Sequence, residues 1–211
     1  MPNLLAIETS EEACSAALCS NGDCMELLET EPRRHSELIL PMIDRLLAEA
    51  GIKRSALDAV AFGRGPGSFT GVRIATAVAQ GIGYGLDRPV VPVSTLQALA
   101  QGAFRQAGSR AVLAALDARM DEIYWCAFTL QGDLMQPAGE ELVVAPSEVP
   151  KPEGEEWTAA GSGWTAWGDL LRQRLGERVG LILPDTACHA LDVATVAESM
   201  LSVSSDYPVF E

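Results

Sequence analysis

The stretch richest in chemical possibility in this 211-residue chain is residues 63–86, GRGPGSFTGVRIATAVAQGIGYGL. Gly63, Gly65 and Gly67 crowd around Pro66 and precede two hydroxyls, Ser68 and Thr70. Either hydroxyl can cap a following helix by accepting a bond from a first-turn N–H. A strand, a glycine loop and a helix N-terminus bring backbone N–H groups together, which suits an anion. The same arrangement also serves as a plain strand-to-helix turn. It is not a P-loop, because no Gly-Lys-Ser/Thr follows and Arg73 is the first cation after Thr70.

Other reactive side chains are sparse. His35 and His189 are the two histidines, too few for a histidine-based metal site. His35 has no serine or cysteine partner at a diagnostic spacing; a place at the start of a helix, bonded to backbone, is the simpler expectation. Asp117 stands two residues before Arg119, and a salt bridge between them accounts for both. Gly161-Ser162-Gly163 is expected to cap the helix after it. Five cysteines include no CxxC pair; Cys14, Cys19 and Cys24 are five apart on predicted strands, and reduced, buried thiols are expected. Protease chemistry needs a nucleophile–base pair or a metal, and neither pattern is present.

Hydrophobic patterning supplies the elements that position these groups. Residues 4–8, 13–20 and 24–30 read as strands, the last two joined by Asn21-Gly22, a strong hairpin signal. Residues 33–50 read as a helix closed by Gly51, with Leu38, Ile39, Met42, Ile43, Leu46, Leu47 and Ala50 on one broad face. That face spans about half the circumference, more than one contact needs. Strand 59–62 leads into the glycine loop. In the helix that follows, Ala75, Ala79 and Gly83 recur every four residues, as do Ala77, Gly81 and Gly85, leaving two sides almost bare. Each helical glycine costs about 1 kcal/mol against alanine. Close approach of another backbone, from the chain's own sheet or from a second chain, would offset that.

Strand 89–93 and helix 95–107 complete a β-β-β-α-β-α-β-α order, which predicts a mixed sheet with packed helices. The pattern restarts with strands 111–116, 123–130 and 141–144, then strand 157–160, helix 164–175, strand 179–183 and helix 192–201. The expected division is a first lobe at 1–107 and a smaller, degenerate lobe at 108–211, whose last helix can pack back on the first.

Charge narrows the partners. The net charge of −14 divides into −3 over residues 1–107 and −11 over 108–211. Apart from Arg33-Arg34 and Lys53-Arg54 no cations cluster, which makes the chain a poor stand-alone binder of nucleic acid. No apolar run approaches the length of a membrane span, and the first residues show no signal-peptide pattern. A cytoplasmic location is expected.

Gly65-Pro66-Gly67-Ser68-Phe69-Thr70-Gly71-Val72-Arg73 resembles the signature of the TsaB (YeaZ) family. Supporting matches are Ile7-Glu8-Thr9-Ser10, His35-Ser36-Glu37 with Leu40-Pro41, and Asp117-Ala118-Arg119 with Glu122-Ile123-Tyr124. The resemblance runs from residue 4 to about 130 and is diffuse beyond. It implies a two-lobed α/β fold of the actin-like ATPase (ribonuclease H-like) class, with a mixed five-stranded sheet in lobe 1, and a chain running slightly past residue 211.

It also implies a role: a non-catalytic subunit for threonylcarbamoylation of tRNA adenosine 37, pairing with TsaD, recruiting the ATPase TsaE, meeting tRNA only through the complex and self-pairing when alone. The implied interface is the two first-lobe helices, at Leu38, Ile39, Met42, Ile43 and Leu46 and at Ala75, Val78, Ala79 and Ile82. In that fold Thr9 and Ser10 resemble a first phosphate loop, and with Gly65, Gly67 and Asp117 they are the candidate nucleotide or anion residues. No lysine accompanies them. No cofactor is expected of the chain itself, with ATP or ADP conceivable at a partner interface. TsaD-like proteins carry metal-binding histidines where this chain has Thr95 and Leu99, so no metal site is expected. The competing reading is an actin-like phosphotransferase or a protease-like enzyme.

Overall fold

The computed structural model describes residues 2–31, 33–154, 156–183 and 186–203. The chain forms two compact units, residues 1–95 with 188–211, and residues 96–187.

The first unit is a five-stranded mixed sheet in the order β3-β2-β1-β4-β5. β1 (Leu4–Glu8), β2 (Cys14–Ser20) and β3 (Asp23–Glu29) are antiparallel neighbours; β4 (Ala59–Gly63) and β5 (Val90–Val93) continue it in parallel. The Asn21-Gly22 turn has positive φ at both residues, which suits the twist of a tight hairpin. β1 and β4 are buried along their whole length because helices cover the sheet. α1 (His35–Ala50) and α2 (Phe69–Leu86) pack with Leu5, Ile7, Val60 and Phe62 in one core. α5 (Ala190–Val203) packs on β1, β2, β4 and β5.

The second unit repeats the scheme. β6 (Ala111–Arg119), β7 (Glu122–Gln131) and β8 (Leu134–Pro137) are antiparallel, and β10 (Trp157–Ala160) and β11 (Val179–Leu183) extend the sheet in parallel beyond β6. β9 (Leu142–Val144) pairs with β7. Read from β8 to β11, the order is that of the first sheet from β3 to β5. Among the described residues no α-helix lies between β8 and β10, where the first unit has α1. α4 (Ser162–Leu175) packs on β6, with Trp125, Trp157 and Trp164 in the core.

α3 (Thr95–Ala107) lies on the second-unit side of the observed division, whereas a cut at 107/108 assigns it to the first. Its side chains explain the difference. Gln97 Nε2 donates to the Met135 carbonyl at 2.9 Å, and Gln101 Nε2 to the Asp133 carbonyl at 3.1 Å, while Gln101 Oε1 accepts the Met135 N–H at 2.9 Å. No described helix is long and apolar enough to cross a membrane.

Candidate functional site

The loop after β4 closes over the turn after β1, and three glycines match three residues of that turn. A Cβ at Gly63 would lie 1.9 Å from Glu8 Oε2, one at Gly67 2.4 Å from the Ser10 carbonyl oxygen, and one at Gly71 1.9 Å from the Thr9 carbonyl oxygen. No side chain fits at Gly67 or Gly71 without moving the turn, or at Gly63 without moving the Glu8 carboxyl. Hydrogen bonds fix the contact. Ser68 N–H donates to the Ser10 carbonyl at 2.7 Å, Thr9 Oγ1 to the Gly71 carbonyl at 2.7 Å, and Thr95 N–H to the Gly65 carbonyl at 2.9 Å. The Gly65–Pro66 peptide is cis, and Gly65 has φ +91°. Ser68 caps α2, accepting the Gly71 N–H at 3.4 Å.

Behind the turn lies Glu8, fully buried. Its Oε1 accepts the Ser10 N–H at 2.5 Å, its Oε2 accepts from Thr95 Oγ1 at 3.4 Å, and the Ser10 and Thr95 hydroxyls bond to each other at 3.0 Å. Burial pushes the Glu8 carboxyl up to about 7; the bonds from Ser10 and Thr95 oppose this and the nearby Glu11 charge adds to it. Sequence reasoning missed Glu8 as a titrating group. The signal was a carboxylate ending an otherwise apolar strand.

These contacts place the residues of the nucleotide expectation. Thr9 and Ser10 are 0% and 1% exposed, so their hydroxyls serve the turn and are shut off from a phosphate in solvent. Gly65 is buried and Gly67 half-buried against Ser10. Asp117 lies in the other unit. Its carboxylate accepts from Arg119 NH1 at 3.1 Å, from the Arg119 N–H at 3.2 Å and from Trp167 Nε1 at 3.5 Å, so the expected salt bridge is present and the group clasps a strand end. Gly161-Ser162-Gly163 does not cap α4 through a side chain. Cβ atoms at Gly161 and Gly163 would meet the Ala115 backbone at 2.5 and 2.9 Å, and Ser162 Oγ accepts the Asp117 N–H at 3.3 Å.

His35 opens α1 as expected, with Nε2 donating to the Glu11 carbonyl at 3.0 Å. His189 is more than an inert loop residue. It pairs with Glu26 at 2.9 Å, and Glu26 also accepts from Ser15 Oγ at 3.0 Å and from the Leu191 N–H at 3.1 Å, holding the start of α5 on the hairpin. Thr95 and Leu99 are fully buried. Among the described residues no group of three or more His, Cys, Asp or Glu could hold a metal ion.

The two helices divide their expected interface residues. Ile39, Met42, Ile43 and Leu46 of α1 are buried on the sheet, as are Ala75 and Ala79 of α2; Leu38, Val78 and Ile82 are half-buried beside them. These six buried side chains present no surface, because the chain's own β-strands absorb the broad apolar face. Of the two small-residue stripes in α2, one is inward: a Cβ at Gly83 would lie 2.3 Å from Val90 Cγ2. The other faces out. Ala77, Gly81 and Gly85 are exposed, and a Cβ at Gly81 or Gly85 would meet nothing within 4 Å. Tyr84 (69% exposed) and Phe69 (73%) flank that stripe, Phe69 with the Arg73 guanidinium stacked 3.2 Å above its ring.

Residues 29–173 match the family model of TsaD, tRNA N6-adenosine threonylcarbamoyltransferase. The tRNA threonylcarbamoyladenosine biosynthesis protein TsaB of Escherichia coli is 40% identical over 95% of this chain and 85% of its own length. The chain belongs to the TsaB (YeaZ) family. The TsaB protein of Haemophilus influenzae is 39% identical over 92% of the chain and 85% of its own length. YeaZ from Pseudomonas aeruginosa has the same fold, with a TM-score of 0.91, 43% identity and full coverage of both chains. The TsaD match runs from the end of β3 into α4 and includes the glycine loop.

Proposed function

We propose that this chain supports threonylcarbamoyladenosine formation on tRNA as a non-catalytic subunit that works by docking. It presents the outer face of α2 to a TsaD-type partner, pairs with a second copy of itself when alone, and leaves TsaE recruitment and tRNA contact to the assembled complex. Any ATP or ADP sits at a partner interface. The observation that carries the reading is the unequal fate of the α2 glycines. Gly71 and Gly83 are accounted for by backbone and side chains of the same chain, whereas Gly81 and Gly85 have open space above them. Two exposed helical glycines cost about 2 kcal/mol together, and a second helix lying close over them offsets that cost. An isologous contact reuses one patch, so the same face serves for self-pairing.

The test uses surface positions. Charging Met42 or Ala79 would unfold the first unit, since both are buried. Gly81→Glu and Ala77→Glu leave the core intact. Mixed with the same organism's TsaD-type protein, both variants should lose complex formation in size-exclusion chromatography with light scattering, while their circular dichroism and melting match the parent chain. Normal pairing by both variants refutes the docking face. Sustained ATP turnover by the purified chain alone would favour the enzyme reading.

A further inference from the structure

The hairpin of the first unit holds a feature that contradicts the expectation of five reduced thiols: Cys19 and Cys24 are joined by a disulfide. Their spacing explains it. The tight turn at Asn21-Gly22 sets the register so that Cys19 faces Cys24 directly, one pair in from the turn, with Cα atoms 4.1 Å apart. A spacing of five places three thiols along strands, and the two-residue turn folds two of them onto each other.

We propose that Cys19 and Cys24 form a reversible thiol–disulfide site whose substrates are small monothiols and their disulfides, with Cys24 as the sulfur attacked from outside. Three observations support it. Seven successive residue pairs, from Cys14 opposite Glu29 to Ser20 opposite Asp23, hold the hairpin independently of the crosslink. Reduction therefore leaves two thiols facing each other in the same ladder, ready to close again without chain movement. The two cysteines differ in access, Cys19 being 2% exposed while Cys24 is exposed on edge strand β3. The other three cysteines are sequestered: Cys14, Cys126 and Cys188 are buried. Burial pushes the Cys14 thiol up to about 11 and that of Cys126 up to about 12, and raises that of Cys188 well above its ordinary value, so little thiolate forms there.

The exchange balances with two monothiols. A thiolate RS⁻ attacks Cys24 Sγ, the Sγ–Sγ bond breaks, and its electron pair leaves on Cys19 Sγ as a thiolate. A second RS⁻ attacks the R-side sulfur of the mixed disulfide, releasing the Cys24 thiolate and RSSR. Both cysteines are reduced, two monothiols are oxidised to one disulfide, and oxidised RSSR drives the reverse.

The folded chain, kept native, is equilibrated with glutathione buffers of graded reduced-to-oxidised ratio, quenched, alkylated and mapped by mass. The oxidised chain should take no label. The reduced chain should take two, both in the hairpin peptide, and return to none in oxidised glutathione. Single variants then assign the entry sulfur. In oxidised glutathione, Cys19→Ser should form a glutathione adduct on Cys24 at least about tenfold faster than Cys24→Ser forms one on Cys19, as exposure requires. Label on Cys14, Cys126 or Cys188 at the hairpin rate, failure of the pair to close again, or equal adduct rates in the two variants would overturn the proposal. Circular dichroism of both variants confirms that each remains folded.

Discussion

Replacing Glu8 with glutamine tests how the core of the first unit tolerates a fully buried carboxylate. Burial lifts that carboxyl from 4.5 to about 7. Between these values the native state holds a proton that the unfolded chain has released. Stability is therefore greatest below pH 4.5, falls as pH rises, and levels off once the native carboxyl also ionises near 7. At 1.36 kcal/mol per pH unit, the full loss is about 3 kcal/mol. Glu8→Gln removes the titration at nearly constant volume. The amide oxygen keeps the Ser10 N–H, and the amide nitrogen meets Thr95 Oγ1, 3.4 Å from the present Oε2. The variant should match the parent near pH 4.5 and exceed it by up to about 3 kcal/mol at pH 8. All four tryptophans, at 125, 157, 164 and 167, belong to the second unit, so their fluorescence does not read this event. Urea unfolding followed by far-ultraviolet circular dichroism, or hydrogen exchange on the β1 and β4 peptides, does. Parent and variant losing stability equally between pH 4.5 and 8 would refute the reasoning, because every other group is common to both chains.

Two further outcomes follow from the same unit. Gly71→Ala should cost about 3 kcal/mol, because its Cβ would lie 1.9 Å from a backbone oxygen; Gly81→Ala should instead gain about 1 kcal/mol of helix stability, and paired thermal melts compare them. Glu26 should behave oppositely to Glu8 in acid. Burial alone would raise its carboxyl, but bonds from His189, Leu191 N–H and Ser15 outweigh it and hold the group below its ordinary value. The stability it contributes is complete above 4.5 and is lost as pH falls through its lowered value, so Glu26→Gln should shift the acid-unfolding midpoint of the parent chain upward. An unchanged midpoint would show that the clasp on α5 contributes nothing.

Much of the fold was legible because its signals are local. The Asn21-Gly22 turn, the Gly51 close of α1, the Ser68 cap and the apolar strands 4–8 and 59–62 each specify their element from within a few residues. What the sequence hid is set by contacts far apart in the chain. The half-circumference of apolar residues on α1 read as surplus surface, yet β-strands on either side of it in sequence take up Ile39, Met42, Ile43 and Leu46. Short strand β8 went unread because Leu134-Met135-Gln136-Pro137 has too few residues for alternation to show. The hydroxyls of Thr9 and Ser10 looked free for phosphate, since nothing in the local sequence says that a loop more than fifty residues later seals them.

That seal gives the glycine-rich motif a role within the fold itself. A phosphate loop uses glycine so that backbone can approach a ligand closely. Here the same lack of side chains lets backbone approach backbone: Gly67 over Ser10 and Gly71 over Thr9, with Gly63 making room for the Glu8 carboxyl. Ser68 N–H, an anion donor by position, is spent on the Ser10 carbonyl. The consequence reaches α2. Its first residues are pinned to β1 through Thr9 and Ser10, and Gly83 seats its far end on Val90. A helix fixed at both ends holds the Ala77, Gly81 and Gly85 stripe in one orientation. On this view the motif sets the angle of a docking face, and loosening it with Gly71→Ala should weaken partner binding from a position that the partner does not touch.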